Sequence, residues 1–168
     1  IPNEVISIGD KAFAGCHGLK NLSLPSKLNY VGSFEFCKNI KSISLPDSTK
    51  DTADGMFTGC EMLTSVKLPR KLKAIKAYDF ADCRKLTKLN IPVTVKVVYM
   101  SAFAGSGLKK IVLPSNVQKI RNGNDGQKVF EYIKGIGYPT KNLRVIEIHS
   151  KKVKSIQKNS FSGLSSKV

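Results

Sequence analysis

Phe13-Ala-Gly-Cys-His-Gly-Leu-Lys-Asn-Leu-Ser-Leu-Pro25 holds the pattern that decides the fold: Phe-x-x-Cys-x-x-apolar-x-x-apolar-x-Leu/Ile-Pro. It returns in full at Phe34–Pro46, Phe57–Pro69 and Phe80–Pro92. A fifth copy, Phe103–Pro114, carries Ser106 in place of cysteine and is one residue shorter. Counted from Pro25, successive prolines lie 21, 23, 23 and 22 residues apart. A period in this range marks a solenoid, in which each unit buries its apolar face only against its neighbours. The 168 residues therefore read as one elongated domain, 1–168, without a central core.

The positions within a unit divide by periodicity. Leu22-Ser-Leu24, Ile43-Ser-Leu45, Val66-Lys-Leu68, Leu89-Asn-Ile91 and Ile111-Val-Leu113 alternate as strands do, apolar side chains inward and the others outward. Proline follows each strand, where its missing N–H does least harm. A second apolar pair follows the proline: Val5/Ile8, Leu28/Val31, Leu72/Ile75, Val95/Val98 and Val117/Ile120. In one unit these positions are Thr49 and Thr52, so that turn is expected to be looser or locally reshaped. Phe13, Phe34, Phe57, Phe80 and Phe103 fall at one site and should stack as a spine. Their flanking residues suit a short helical or 3₁₀ turn.

Taken together, Ile8-Gly-Asp-Lys-Ala-Phe-Ala-Gly-Cys16, Leu19-x-x-Leu22-x-Leu24-Pro25 and their copies resemble the BspA-like class of leucine-rich repeats. The resemblance implies a leucine-rich-repeat solenoid, a right-handed stack of about six to seven units of 21–23 residues. One face would carry a parallel sheet, the other short turns, 3₁₀ segments or second short strands. Such proteins are typically surface-exposed or secreted in bacteria and some protozoa. Several are adhesins that bind extracellular-matrix proteins or other cells. The resemblance thus implies a cell-surface or secreted, non-enzymatic module with a protein ligand, from the matrix or another cell-surface protein.

The repeat absorbs the residues that first suggest chemistry. Cys16, Cys37, Cys60 and Cys83 share one position, 21, 23 and 23 residues apart, and lack the close pairs of a zinc site. They read as a ladder of buried free thiols. The alternative is a disulfide between neighbouring rungs, against which parallel Cβ vectors speak. His17 reads as an exposed turn residue, and His149 as a replacement for the unit's proline. Asn122-Gly-Asn-Asp-Gly126 lacks the spacing of a calcium loop and reads as a turn. Paired catalytic carboxylates, a P-loop and a nucleophile elbow are all missing from the sequence. The chain is expected to be no enzyme and to hold no cofactor or metal.

Two surfaces remain for binding. One is the outward face of the strand column: Asn21, Ser23, Ser42, Ser44, Ser65, Lys67, Lys88, Asn90, Lys110 and Val112, continued by Val145 and Glu147. It begins small and polar and becomes basic. The other is an irregular insertion at 121–142, within the penultimate unit, whose Phe130, Tyr132, Ile136 and Tyr138 could meet a partner. The formal charge of +16 gives a second reading, a polyanion binder for sulfated glycan, anionic membrane surface or nucleic acid. Only four of the 28 basic residues are Arg, which favours long-range attraction over bidentate readout. Ile1-Pro2 reads as the tail of one repeat and Phe161–Leu164 as the front of another, so both ends are expected to be cut mid-repeat. Uncapped end rungs would then favour homo-association.

Overall fold

A computed structural model describes residues 1–99, 101–121 and 145–149, and the backbone of 155–156. The chain is a parallel β-solenoid of about five turns, without a helix among the described residues. The expected insertion lies outside the described residues, apart from Arg121. That holds for Phe130, Tyr132, Ile136 and Tyr138 alike.

The strands are short, two to four residues each. In chain order they are β1 (Ser7–Ile8), β2 (Tyr30–Val31), β3 (Ser42–Ser44), β4 (Asp51–Thr52), β5 (Ser65–Lys67) and β6 (Ala74–Ile75). Then come β7 (Val97–Val98), β8 (Lys110–Leu113), β9 (Lys119–Ile120), β10 (Val145–Ile148) and β11 (Ser155–Ile156). Two columns result. The Leu-x-Leu column holds β3 paired with β5, and β8 paired with β10. The column after the prolines holds β1-β2-β4 and β6-β7-β9-β11. All pairings are parallel, and each joins like positions of successive units, as Ile43↔Val66 and Val31↔Thr52 show.

Between the columns lies the core. Phe34, Phe57, Phe80 and Phe103 are wholly buried, and with the half-buried Phe13 they form one stack. Successive ring centroids are 5.4, 5.8, 5.7 and 6.0 Å apart. Burial of each such side chain stabilises the fold by about 1.5–3 kcal/mol, and the stacking geometry adds to it. The inward pairs Leu28/Val31, Leu72/Ile75, Val95/Val98 and Val117/Ile120 close the other side.

The phenylalanine segment is a short turn, as its flanking residues led one to expect. It makes i to i+3 bonds, such as Cys60 N–H to the Phe57 carbonyl at 3.0 Å. Positive φ angles interrupt it at two fixed places. Two residues before the Phe stand Lys11, Gly55, Tyr78 and Ser101; two after stand Gly15, Phe36, Gly59, Asp82 and Gly105. The left-handed residues turn their amides towards the next unit. Gly15, Phe36, Gly59 and Asp82 N–H bond the carbonyls of Glu35, Thr58, Ala81 and Ala104 at 2.7–2.8 Å.

Two departures from the expected pattern shape the columns. The threonine unit is not loose: Thr49 and Thr52 are buried, and β4 keeps register with β2. Reshaping falls on the other side, where β4 has no pairing with β6. There the Lys76 ammonium donates to the Thr52 carbonyl at 2.5 Å and pairs with Asp51 at 2.9 Å. A side chain has taken the acceptor that a ladder amide would use. The second departure is in the Leu-x-Leu column. The sheet expected there is two strand pairs, because Leu22–Leu24 and Leu89–Ile91 belong to no ladder.

Candidate partner-binding face

Alternation along the Leu-x-Leu rungs sends every second side chain to solvent, and the structure follows it. Asn21, Ser23, Ser42, Ser44, Ser65, Lys67, Lys88, Asn90 and Lys110 are exposed, and Val112 is half-buried. Parallel register sets Ser42 beside Ser65, Ser44 beside Lys67, Lys110 beside Val145 and Val112 beside Glu147. The serine and asparagine side chains of this face make no hydrogen bond to another described residue. At its far end Val145 is exposed and Glu147 pairs with Lys110 at 2.7 Å. That ammonium holds the Glu147 carboxyl below its ordinary range, helped by His149.

Across the middle of the face runs a groove of about 340 Å³ between the fourth and fifth rungs. Lys88, Leu89 and Asn90 line one wall, Lys109, Lys110 and Val112 the other. Neither Lys88 nor Lys109 pairs with a described carboxylate. Thr87 and Lys109 are not among the residues that alternation points outward, and Leu89 is expected to point inward, yet all three line the groove. The doublet Lys109-Lys110 was the available signal; that the rungs part beside it was not readable.

The thiols are structural. All four cysteines are free, Cys16 exposed and the others buried. Cys37, Cys60 and Cys83 each donate their S–H to the carbonyl of the preceding unit's phenylalanine, at 2.9, 3.1 and 3.1 Å. Burial pushes each of these three thiols up from its ordinary range. A thiol held protonated is a poor nucleophile and a poor metal ligand. Ser106, at the same position, is buried, and its hydroxyl finds no hydrogen-bond partner among the described residues.

The histidines serve the stack as well. His17 Nδ1 lies 3.0 Å from the Phe36 carbonyl, and Asn39 Nδ2 donates to the His17 carbonyl at 2.7 Å. The first histidine is therefore an exposed tie between units. His149, standing where other units have proline, has an N–H to give, and it donates to the Leu113 carbonyl at 3.0 Å. Its ring meets Glu147 at 3.2 Å.

A second concavity, of about 370 Å³, lies over the second unit's short loop, Val31-Gly-Ser-Phe34. Asp10, Asp51 and Asp54 line it with Tyr30, Ser33 and Lys76. Most of its charge is spent internally. The Tyr30 hydroxyl donates to Asp10, which with burial raises its pKa to about 12, and Lys76 holds Asp51. No cluster of histidine, cysteine or carboxylate groups among the described residues could hold a metal ion. Nor is any described helix long and apolar enough to cross a membrane.

Comparison with known proteins agrees with this geometry. The model of the BspA type leucine rich repeat region matches residues 1–105, in 6 copies. A leucine rich cell surface protein from Faecalibacterium prausnitzii has a crystal structure similar to this chain, with a TM-score of 0.72 and 26% identity. The match covers 89% of this chain and 38% of that one. A leucine-rich repeat protein from Bacteroides ovatus is similar with a TM-score of 0.63 and 28% identity, over 98% of this chain and 46% of that one. The chain spans less than half the length of either. No curated protein matches it.

Proposed function

The chain belongs to the BspA-type leucine-rich-repeat family, and from that premise we propose that it is a non-enzymatic, adhesin-like module that binds a protein partner. The strand face is its binding surface, and the partner is a matrix protein or another cell-surface protein. One observation carries the reading. Nine outward side chains of the Leu-x-Leu column are exposed, and its serine and asparagine side chains make no hydrogen bond to another described residue. Extended faces of stacked repeats suit partners too large for a pocket. A place at the cell surface or outside the cell fits the description of the Faecalibacterium prausnitzii protein.

Lys88 and Lys109, which pair with no described carboxylate, favour a second reading, the electrostatic capture of a polyanion. Salt separates the two. Immobilised matrix proteins and heparin are to be compared at about 50 and 500 mM salt, since polyanion binding weakens steeply over such a range. The proposal expects a matrix protein whose binding survives the higher salt. Binding only to heparin, and only at the lower salt, would replace it with the second reading.

A further inference from the structure

We propose that the break in the Leu-x-Leu column is a docking groove for an extended acidic peptide segment of a protein partner. This rests on the reading of the strand face as the binding surface and gives that surface a chemistry. The first support is the hydrogen bonding. β5 pairs only with β3, and β8 only with β10. The rung between them, Thr87–Ile91, makes no backbone hydrogen bond to either neighbour. The groove thus runs between an unladdered rung and the unpaired edge of β8. Open N–H and C=O groups of this kind are templates for an added extended segment.

Charge is the second support. The break coincides with the basic part of the face. Lys67 stands on the rung before it, and Lys88 and Lys109 face the groove without a described carboxylate. Lys110 is already held by Glu147. An incoming segment with carboxylates on alternate residues would meet the lysines with one face and leave the other face to solvent.

The groove favours a peptide over a sulfated glycan. Its walls include the half-buried Leu89 and Val112, which suit aliphatic side chains. Its backbone offers acceptors as well as donors, which a peptide matches with its own N–H groups. A sulfated chain would use the lysines alone.

The test is amide chemical-shift mapping on the ¹⁵N-labelled chain, with an acetylated peptide of alternating Glu and Val, about six to eight residues long to match a strand. Shifts are expected to cluster at Thr87–Ile91 and Lys110–Leu113. The pair Lys88→Glu/Lys109→Glu should weaken the peptide at least about tenfold. The exposed control pair Lys27→Glu/Lys96→Glu should change it less than about twofold. The milder Lys88→Gln/Lys109→Gln pair guards against misfolding and should fall between. Shifts scattered over the surface lysines, equal losses in both pairs, or heparin moving the same amides with equal affinity would overturn the proposal. Matrix-protein binding that survives Lys88→Glu/Lys109→Glu but fails when the serine rungs are blocked would overturn it too, and leave the strand-face reading standing.

Discussion

Asp79 is the residue at which the repeat departs most from an apolar core. It occupies the position held by Ala12, Ser33, Met56 and Ala102 in the other units, and it is buried. Burial raises its pKa to about 7, against the pull of the Lys76 and Met56 amides, which donate to it at 2.6 and 3.3 Å. Unfolded, the group titrates near 3.9, so the native state binds its proton more tightly. The stabilisation is complete below pH ~4 and is lost as pH rises towards about 7, by at most ~1.4 kcal/mol per pH unit. Urea midpoints of the wild type should therefore fall between about pH 4.5 and 7, and those of Asp79→Asn should stay level. Parallel profiles for the two proteins would refute the assignment. Asp47 and Glu147, whose pKa values are lowered by Arg70 and Lys110, act in the opposite sense below that window. Both are at the surface, where ion pairs contribute little.

At the scale of the element, the length of each turn is set by glycine wherever the repeat is shortened. In the second unit a Cβ on Gly32 would lie 2.0 Å from the Gly9 carbonyl oxygen. In the fifth, a Cβ on Gly107 would lie 2.1 Å from that of Arg84. These rungs close on their neighbours through bare backbone. Gly32→Ala is expected to lower unfolding stability by about 1–3 kcal/mol, as forced overpacking does. The same change at Gly18, where a Cβ meets nothing within 4 Å, should be close to neutral. Equal denaturant midpoints for the two variants would contradict this account of the short turns.

The same elements show what the sequence could and could not reveal. Phenylalanine, cysteine and proline recur at one spacing, so the spine, the thiol ladder and the rung order were readable. The left-handed positions were half readable. Gly15, Gly59 and Gly105 signal them, whereas Phe36 and Asp82 hold the same conformation without a residue type that announces it. The breaks in the two columns were hidden, because pairing depends on small offsets between successive units. Lys76 replacing a ladder amide at Thr52 is such a case.

For the whole molecule, the stack turns a charge of +16 into a graded surface. Apolar positions are consumed between the columns, leaving the outward rungs to chemistry. Serine and asparagine dominate one end, and lysine gathers where the column parts. Of the ten candidate residues that alternation points outward, nine are exposed and Val112 is half-buried. The groove among them was not legible, since it arises from a missing ladder and not from any motif.

The central claim is that partners meet the strand face. The most direct measurement compares two blocking pairs against a matrix protein retained at high salt. Ser44→Arg/Ser65→Arg places bulk in the middle of the face; Lys50→Glu/Lys73→Glu alters the exposed column behind the prolines. The account predicts that the serine pair lowers affinity by at least about tenfold and that the lysine pair leaves it within about twofold. Unchanged binding in the serine pair, with loss in the lysine pair, would contradict it.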